Sequence, residues 1–280
     1  MSLFKNIENE IKFYIEAKDN VWGVDNPPPI ILPSGDWTAW LPTFEPQSFQ
    51  GKDSNECSQL SAINALETFM NWLAKTGQMT AIALNWFTSN GYLDANGSFA
   101  FSEDFTGILD GTSINGNIAQ NAWKCFQQWG ILPRSMLNWS DEQASQYPDQ
   151  ASMDLAYYSH SRITPAMDAL ALESKKYINI AWGWIGDGNT PISQSVLSAG
   201  LQTSPLQYVI PIPSPVSLWN QILIPYTGGT NLAHCVTGYK TDYISSYFYY
   251  IIDQYEPYQK QLASNYDIPI AIAHNVQMLL

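Results

Sequence analysis

The segment from Cys57 to about Ala74 constrains the fold of this chain more than any other, because its apolar residues recur at helical spacing over a wide face. These residues are Leu60, Ile63, Ala65, Leu66, Phe69, Met70 and Leu73. A helix with so wide an apolar face must be covered by other elements on several sides. We therefore predict that a helix beginning at Cys57 lies at the centre of a core, which 280 residues are enough to bury.

Helical patterns dominate the first half of the chain and strand patterns the second half. Further helices are predicted over 79–90 and 117–129, with loop signals between them over 94–117. Beyond about residue 178, short segments combine β-branched or aromatic residues with flanking turns, at 178–184, 206–212, 233–239 and 247–253. This order predicts an α+β chain with an antiparallel sheet, and we expect chemistry in a cleft between the two halves.

The charge balance excludes some classes of partner. Lys and Arg number 12 against 25 Asp and Glu, a net charge of −13, whereas non-specific binding to nucleic acid or to anionic membranes needs clustered cations. The first residues lack the pattern of a signal peptide and no apolar run reaches the roughly 20 residues of a membrane span, so we expect a cytoplasmic protein. The three cysteines are too few for a disulfide framework, and we expect neither cofactor nor metal ion.

Residues 1–31 form an expected N-terminal extension. Apolar residues at helical spacing predict a short amphipathic helix over 3–17, and the proline-rich run at 26–29 predicts a linker. Such a helix is too short to be stable by itself, so we expect its apolar face to pack on the body of the protein, outside the cleft. The alternative is a short pro-segment whose linker crosses the active site.

Cys57 is a candidate nucleophile because of its place at the start of the predicted helix. A helix N-terminus presents unpaired N–H groups and about half a positive charge, which stabilise the reactive thiolate. The alternative interpretation is a small buried residue that opens a core helix. Glu56 lies directly before Cys57 in the sequence, and its negative charge would oppose thiolate formation. Cys125 falls inside the helix predicted over 117–129, where burial would make it inert.

His234 is the candidate base, because it alone among the three histidines lies in a predicted strand of the sheet half. The alternative interpretation is an ordinary core or surface histidine. Asp253 follows the aromatic strand of Tyr247 to Tyr250 and could accept a hydrogen bond that fixes the tautomer of a histidine ring. A shift of one residue would give this role to Gln254.

Motifs spread over residues 32–258 resemble those of the papain-like (C1-type) cysteine peptidases. They are Leu32-Pro33 with Asp36-Trp37, Gln50-Gly51, the block from Cys57 to Glu67, the glycine-rich stretch from Gly111 to Pro133, Pro205 to Val209, His234 with Gly238-Tyr239, and Asp253-Gln254-Tyr255. The resemblance implies a papain-like two-lobed fold over 32–280. Its helical lobe would cover about 50–150 and its sheet or barrel lobe about 175–280.

The resemblance also implies hydrolysis of peptide bonds in a peptide or protein substrate. Cys57 would be the nucleophile, His234 the general base and Asp253 the residue that orients His234. The Cys57 N–H and the side-chain amide of a glutamine would form the oxyanion hole, and either Gln50 or Gln47 lies at a suitable distance upstream. The turn at 115–116 (Asn115 and Gly116) would pair with the extended backbone of the substrate.

The chain also departs from the family pattern. Ser54-Asn55-Glu56 replaces the family's Cys-Gly-Ser, Ser58 replaces an aromatic residue, and Asp253 replaces an asparagine. The interval between Cys57 and His234 exceeds the roughly 130–150 residues typical of the family, which predicts an insertion within 135–200. Two other functions therefore stay open: a catalytically silent papain-fold binding or structural protein, and an acyltransferase or amidase with the same Cys–His–Asp set.

Overall fold

The structure, a computed structural model, describes residues 29–186, 188, 190–213, 215–242 and 246–280. The helix predicted over 3–17 and most of the proline-rich linker lie outside these residues. The described residues divide into two compact units. Residues 40–181 with 276–280 are called the helical unit here, and residues 29–39 with 182–275 the sheet unit.

The helical unit is built around the helix predicted from the sequence. This unit contains α1 (Cys57–Lys75), α2 (Ala81–Ser89), α3 (Glu103–Asp110), α4 (Ala119–Trp129), α5 (Asp141–Ser145), α6 (Gln150–Tyr157) and α7 (Pro165–Ser174), with the short strands β1 (Ser48–Phe49) and β2 (Lys52–Asp53). Helix α1 is buried along nearly its whole length, which confirms its predicted central place. None of the helices in the described ranges is both long and apolar enough to cross a membrane.

The prediction of loops throughout 94–117 is wrong, because α3 lies within this range. The Oγ of Ser102 caps the helix by accepting a hydrogen bond from the Phe105 N–H at 3.0 Å. Gly111 ends it with a left-handed φ of 82°, a conformation that glycine adopts without strain. The helix has only eight residues, and its apolar residues Phe105, Ile108 and Leu109 span little more than one turn, which is too short a pattern to predict a helix among the surrounding loop signals.

Helices α5 to α7 lie within the range 135–200, where the resemblance to papain-like peptidases predicts an insertion. Side chains of this segment pack against the β1–β2 hairpin in an aromatic cluster that contains Phe49, Trp139, Ala144, Met153 and Tyr157. The segment before α1 therefore contacts residues that lie about a hundred positions later in the chain.

The strands after α7 form one sheet in the order β3-β9-β4-β6-β7-β8-β5. They are β3 (Ile178–Ile185), β4 (Leu206–Pro213), β5 (Leu223–Ile224), β6 (Gly229–Thr241), β7 (Tyr247–Ile252), β8 (Gln259–Ala263) and β9 (Ile270–Met278), and helix α8 (Gln194–Leu201) lies between β3 and β4. The four strands predicted from the sequence correspond to β3, β4, β6 and β7. The α+β class is confirmed.

The register of the sheet places three side chains close together. His234 lies in β6, and the β6–β7 pairing aligns Thr237 with Ile252, so Asp253 follows β7 beside the His234 end of β6. The backbone N–H of Asp253 donates to the Tyr258 carbonyl at 2.7 Å, and this bond closes the turn into β8. The β7–β8 pairing then aligns Lys260 with Ile251. Sheet geometry therefore gathers residues from β6, β7 and β8.

Candidate active site

Cys57 is the first residue of α1 and is half-buried. Glu56 occupies the N-cap position, and its carbonyl accepts the hydrogen bond from the Leu60 N–H at 2.9 Å. The first turn of the helix contains no acidic residue. The remaining N–H groups of this 19-residue helix thus present their partial positive charge at the thiol, an environment that favours a thiolate.

The side chain of Glu56 turns away from the helix and into the core of the helical unit. Its Oε2 lies 2.5 Å from the hydroxyl of Tyr157, and the same hydroxyl lies 2.6 Å from Oδ1 of Asp104. A phenol has one proton to donate, so one of the two carboxyl groups must itself be protonated and donate to the phenol oxygen. Arg162 forms an ion pair with Asp104, which opposes the rise that burial causes in the pKa of Asp104. The ion pair therefore favours Glu56 as the protonated partner.

The surroundings of Glu56 also raise its pKa. Burial raises it well above its ordinary value, and the negative charges of Asp104 and Glu103 act in the same direction. These effects favour the neutral form of Glu56. The buried Glu56 therefore opposes a thiolate at Cys57 less than the solvated carboxylate expected from the sequence would.

Glu56 belongs to a larger group of acids in the helical unit. Arg134 forms ion pairs with Glu45, with Glu67 at 3.5 Å and with Glu103 at 3.7 Å. Burial raises the pKa of Glu103 to about 8 and the pKa of Glu67 well above its ordinary value. The buried carboxyls of this group outnumber Arg134 and Arg162, the arginines that contact them, so protons must balance part of the charge.

The predicted substrate-binding turn lies close to the segment that enters α1. Gly116 has a φ of 74°, and its N–H donates to the Ser113 carbonyl at 2.8 Å. A Cβ at Gly116 would lie 3.5 Å from the carbonyl oxygen of Asn55, two residues before Cys57. Asn115, at the tip of the turn, is exposed. The structure therefore brings this turn next to the backbone beside Cys57.

The two candidate glutamines occupy different environments around the β1–β2 hairpin. Gln50 lies at the exposed turn with a φ of 52°, and its backbone N–H donates to Asp141 Oδ1 at 3.0 Å. Gln47 is buried, and its Nε2 donates to Asp53 Oδ1 at 2.8 Å. The amide of Gln47 is thus held in place by a carboxylate, whereas the side chain of Gln50 extends into solvent.

His234 and Asp253 form a buried hydrogen bond in the sheet unit. Nε2 of His234 lies 2.8 Å from Oδ1 of Asp253, which also accepts the backbone N–H of Gln254 at 2.8 Å. The Asp253 carboxylate, rather than the Gln254 side chain, is therefore the residue that contacts the ring. Burial would raise the pKa of Asp253, but the charges and hydrogen bonds of His234 and Lys260 outweigh it and lower the pKa. Because Asp253 is an ionised acceptor, Nε2 of His234 carries the proton.

Sequence analysis did not identify Lys260 and Trp219, two further residues of the sheet unit that lie beside Asp253 and His234. Lys260 is fully buried and forms an ion pair with Oδ2 of Asp253. The ring of Trp219 lies perpendicular to His234 at a centroid distance of 5.3 Å, and the Lys260 ammonium lies 4.9 Å from the same ring. A signal for Lys260 was present, because in β8 it has the same alternating phase as the buried Leu262 and so points inward.

No sequence-family model matches this chain, and no curated protein matches it either. Solved structures of cysteine proteases do match, at TM-scores slightly above 0.5. The chain has the papain-like fold. The Amb a 11 cysteine protease of ragweed pollen, in its proform, matches with a TM-score of 0.52 and 16% identity over 85% of this chain and 65% of that one, so this chain spans slightly under two thirds of that protein's length.

Two further matches extend over most of both chains. The bromelain protease from Ananas comosus in complex with the E64 inhibitor has a TM-score of 0.51 and 12% identity over 86% of this chain and 97% of that chain. Xylellain, a cysteine protease from Xylella fastidiosa, has a TM-score of 0.52 and 14% identity over 87% of this chain and 84% of that chain. At such identities the likeness shows the fold alone.

The cysteines of this papain-like chain occupy different environments. Cys125 lies inside α4 with its Sγ 3.8 Å from the Thr106 carbonyl, and burial raises its pKa well above the ordinary value. Its predicted burial is confirmed. Cys235 is buried in β6 directly after His234. Cys57, in contrast, is half-buried and lies at a helix N-terminus.

Proposed function

We propose that this protein is a cysteine peptidase in which Cys57 is the nucleophile, His234 the general base and then acid, and Asp253 the residue that orients His234. The observation that carries the proposal is the buried hydrogen bond between His234 and Asp253 in a papain-like chain whose central helix begins with a cysteine. A nucleophile, a base and a group that orients the base are the three parts of covalent acyl transfer.

The hydrogen bond to Asp253 assigns the two ring nitrogens of His234. Since Nε2 holds its proton against the carboxylate, Nδ1 is the nitrogen that takes the proton of the Cys57 thiol. The thiolate attacks the peptide carbonyl carbon, and the tetrahedral intermediate collapses when His234 returns that proton to the leaving amine. Water, deprotonated by His234, then hydrolyses the acyl-enzyme and regenerates the thiol.

Hydrogen-bond donors must stabilise the oxyanion of the tetrahedral intermediate. The backbone N–H of Cys57 and the side-chain amide of Gln50 or Gln47 take this role in the proposal, each worth about 3–4 kcal/mol in the transition state. The turn at Asn115 and Gly116 would bind the extended backbone of a peptide or protein substrate.

One argument for a catalytically silent protein, the negative charge of Glu56, is weakened because the contacts of Glu56 favour a neutral acid. The departures from the family pattern keep this alternative open. An acyltransferase or amidase would use the same three residues, with Asp253 as the ionised acceptor. That function differs from the proposal in the acyl acceptor or the leaving group and not in the nucleophile, so substrates distinguish the two.

The first experiment measures the rate of iodoacetamide alkylation of Cys57 against pH, with the labelled residue identified by mass spectrometry. We expect an apparent thiol pKa at least one unit below the ordinary value of about 8.5, and His234→Gln should raise it. Cys125→Ala is the matched control and should leave the profile unchanged. An ordinary thiol pKa that His234→Gln does not alter would contradict the proposal.

The second experiment compares the hydrolysis of a peptide library with that of small primary amides. We expect cleavage of internal peptide bonds, abolished in Cys57→Ala with little change in melting temperature, because a half-buried thiol contributes little packing. Hydrolysis that survives Cys57→Ala would overturn the proposal. Turnover of small amides or transfer to an added amine, without peptide cleavage, would establish the amidase or acyltransferase instead.

A further inference from the structure

Lys260 is fully buried, which is rare for a lysine and costs free energy unless its charge has a partner. Its ammonium contacts Oδ2 of Asp253 and lies over the face of Trp219. Neither contact is needed to complete the sheet, since Lys260 already pairs through its backbone with Ile251. The buried charge therefore serves the Asp253 side chain.

The two oxygens of Asp253 have separate partners. Oδ1 accepts from Nε2 of His234 and from the backbone N–H of Gln254, each at 2.8 Å, while Oδ2 faces Lys260. With both oxygens held, the carboxylate plane cannot rotate, and the direction of its hydrogen bond to the imidazole is set. Trp219 packs against both the imidazole and the ammonium and holds water away from the array.

Charge is the second consequence of this arrangement. A buried carboxylate without a lysine would stabilise the imidazolium form of His234 and make it a poor base near neutral pH. Paired with the ammonium, the carboxylate keeps its geometry while the sum of the two charges is zero. The groups with charge or titratable protons near His234 include Asp253, Lys260 behind it, and the phenol ring of Tyr255 at 5.8 Å.

We infer that Lys260 is a positioning residue: it cancels the charge of Asp253 and fixes the carboxylate, so that His234 keeps its proton on Nε2 and is less readily protonated on Nδ1. The inference rests on the proposed function for the statement that His234 is a base. The cancellation of charge does not depend on activity and can be measured without it.

The experiment follows the C2 proton of His234 by NMR across pH in the full chain. The chain has three histidines, so the signal is assigned by its loss in His234→Gln. We expect Lys260→Met to raise the pKa of His234 by about one unit or more, because an uncompensated carboxylate then faces the ring. Lys260→Met with Asp253→Asn should return the pKa to within about 0.5 unit of the wild-type value.

A second pair of variants keeps the inference testable if Lys260→Met does not fold. Asp253→Asn should lower the pKa of His234, because the ammonium is then uncompensated, and adding Lys260→Met to it should raise the pKa again. Lys240→Met is the matched control: Lys240 is also in the sheet and also paired with an aspartate, Asp36, at 2.9 Å, but it does not contact Asp253 or His234. It should leave the pKa unchanged.

The experiments can contradict the inference about Lys260 without contradicting the proposed function, and the proposed function without contradicting the inference. If removal of Lys260 leaves the pKa of His234 unchanged in both the wild-type and the Asp253→Asn backgrounds, the inference is overturned, whatever the alkylation of Cys57 shows. If the pKa responds as expected while Cys57 has an ordinary thiol pKa, the inference about charge stands and the proposed peptidase fails.

Discussion

The sheet unit pairs its buried Asp253 carboxylate with a lysine. The helical unit instead buries more carboxyl groups than it has arginines to pair with them. In the sheet unit, Asp253 has Lys260 on one oxygen and His234 on the other. In the helical unit, Glu56 reaches no cation and shares the Tyr157 hydroxyl with Asp104. One unit therefore balances buried charge with a cation and the other with a proton.

This difference predicts opposite responses to pH. The lowered pKa of Asp253 means that its contribution to stability is complete above the ordinary pKa of about 3.9 and is lost as pH falls through the lowered value. The raised pKa values of Glu56, Glu67 and Glu103 mean that their contributions are complete below about pH 4.3 and are lost as pH rises.

The largest expected effect comes from breaking the ion pair of the sheet unit. Lys260→Met should lower the free energy of unfolding by about 3–5 kcal/mol, because a buried carboxylate loses its cation, and Lys260→Met with Asp253→Asn should recover most of the loss. Urea denaturation measures both. Lys240→Met, in which a partly exposed pair is broken, should cost less than about 1 kcal/mol. Equal losses in the two lysine variants would show that burial of the pair is unimportant.

The next effect tests the proton-balanced array of the helical unit. Tyr157→Phe should lower the free energy of unfolding by about 2–3 kcal/mol, because Glu56 and Asp104 both lose a buried hydrogen-bond partner. The matched control is Tyr177→Phe, which keeps the ring stacked on Trp86 at 4.5 Å. A loss for Tyr157→Phe no larger than for the control would mean that the shared hydroxyl contributes nothing.

A smaller effect appears in the pH dependence of stability. The folded helical unit binds more protons than the unfolded chain between about pH 4.3 and the raised pKa of Glu56, so its stability should fall as pH rises through this window. Glu56→Gln removes one such proton and should reduce the slope by up to about 1.4 kcal/mol per pH unit. Denaturation at pH 5, 6, 7 and 8 measures the slope, and an identical slope in both proteins would mean that Glu56 is ionised when folded.

The smallest expected effect concerns the thiol. Because burial favours the neutral form of Glu56, Glu56→Gln should change the rate of Cys57 alkylation at pH 6 by less than about twofold. An ionised Glu56 would instead raise the thiol pKa, and its replacement would increase the rate by up to about tenfold. The alkylation assay of Cys57 decides between the two, with Asp104→Asn as a comparison for the acid of the same array that pairs with Arg162.

The helix at Cys57 and the strands of the sheet could be predicted because their signals are local. Apolar spacing marks α1, and β-branched or aromatic runs mark β3, β4, β6 and β7. Helix α3 was missed because it is short, although Ser102 before it and Gly111 after it are recognisable caps. Strand β5, with two residues, is too short for any periodic pattern.

The residues of the candidate site could be proposed from the sequence, but the contacts between their side chains could not. The sequence favoured Asp253 and left Gln254 open as an alternative. The register of β6 and β7 places the Asp253 side chain against His234, since successive residues point to opposite faces. Lys260 is only seven positions from Asp253, yet its role depends on the turn that brings β8 back beside β7.

The sequence by itself determined that a glutamate precedes a cysteine at the start of a long apolar helix, and that a histidine and an aspartate lie in the strand-rich half. Only the tertiary structure decided what charge these groups bear. Tyr157, which shares its hydroxyl with Glu56, is 101 positions away in the chain. A carboxyl's pKa is set by its loss of water and by the groups around it, and neither exists until distant segments have packed together.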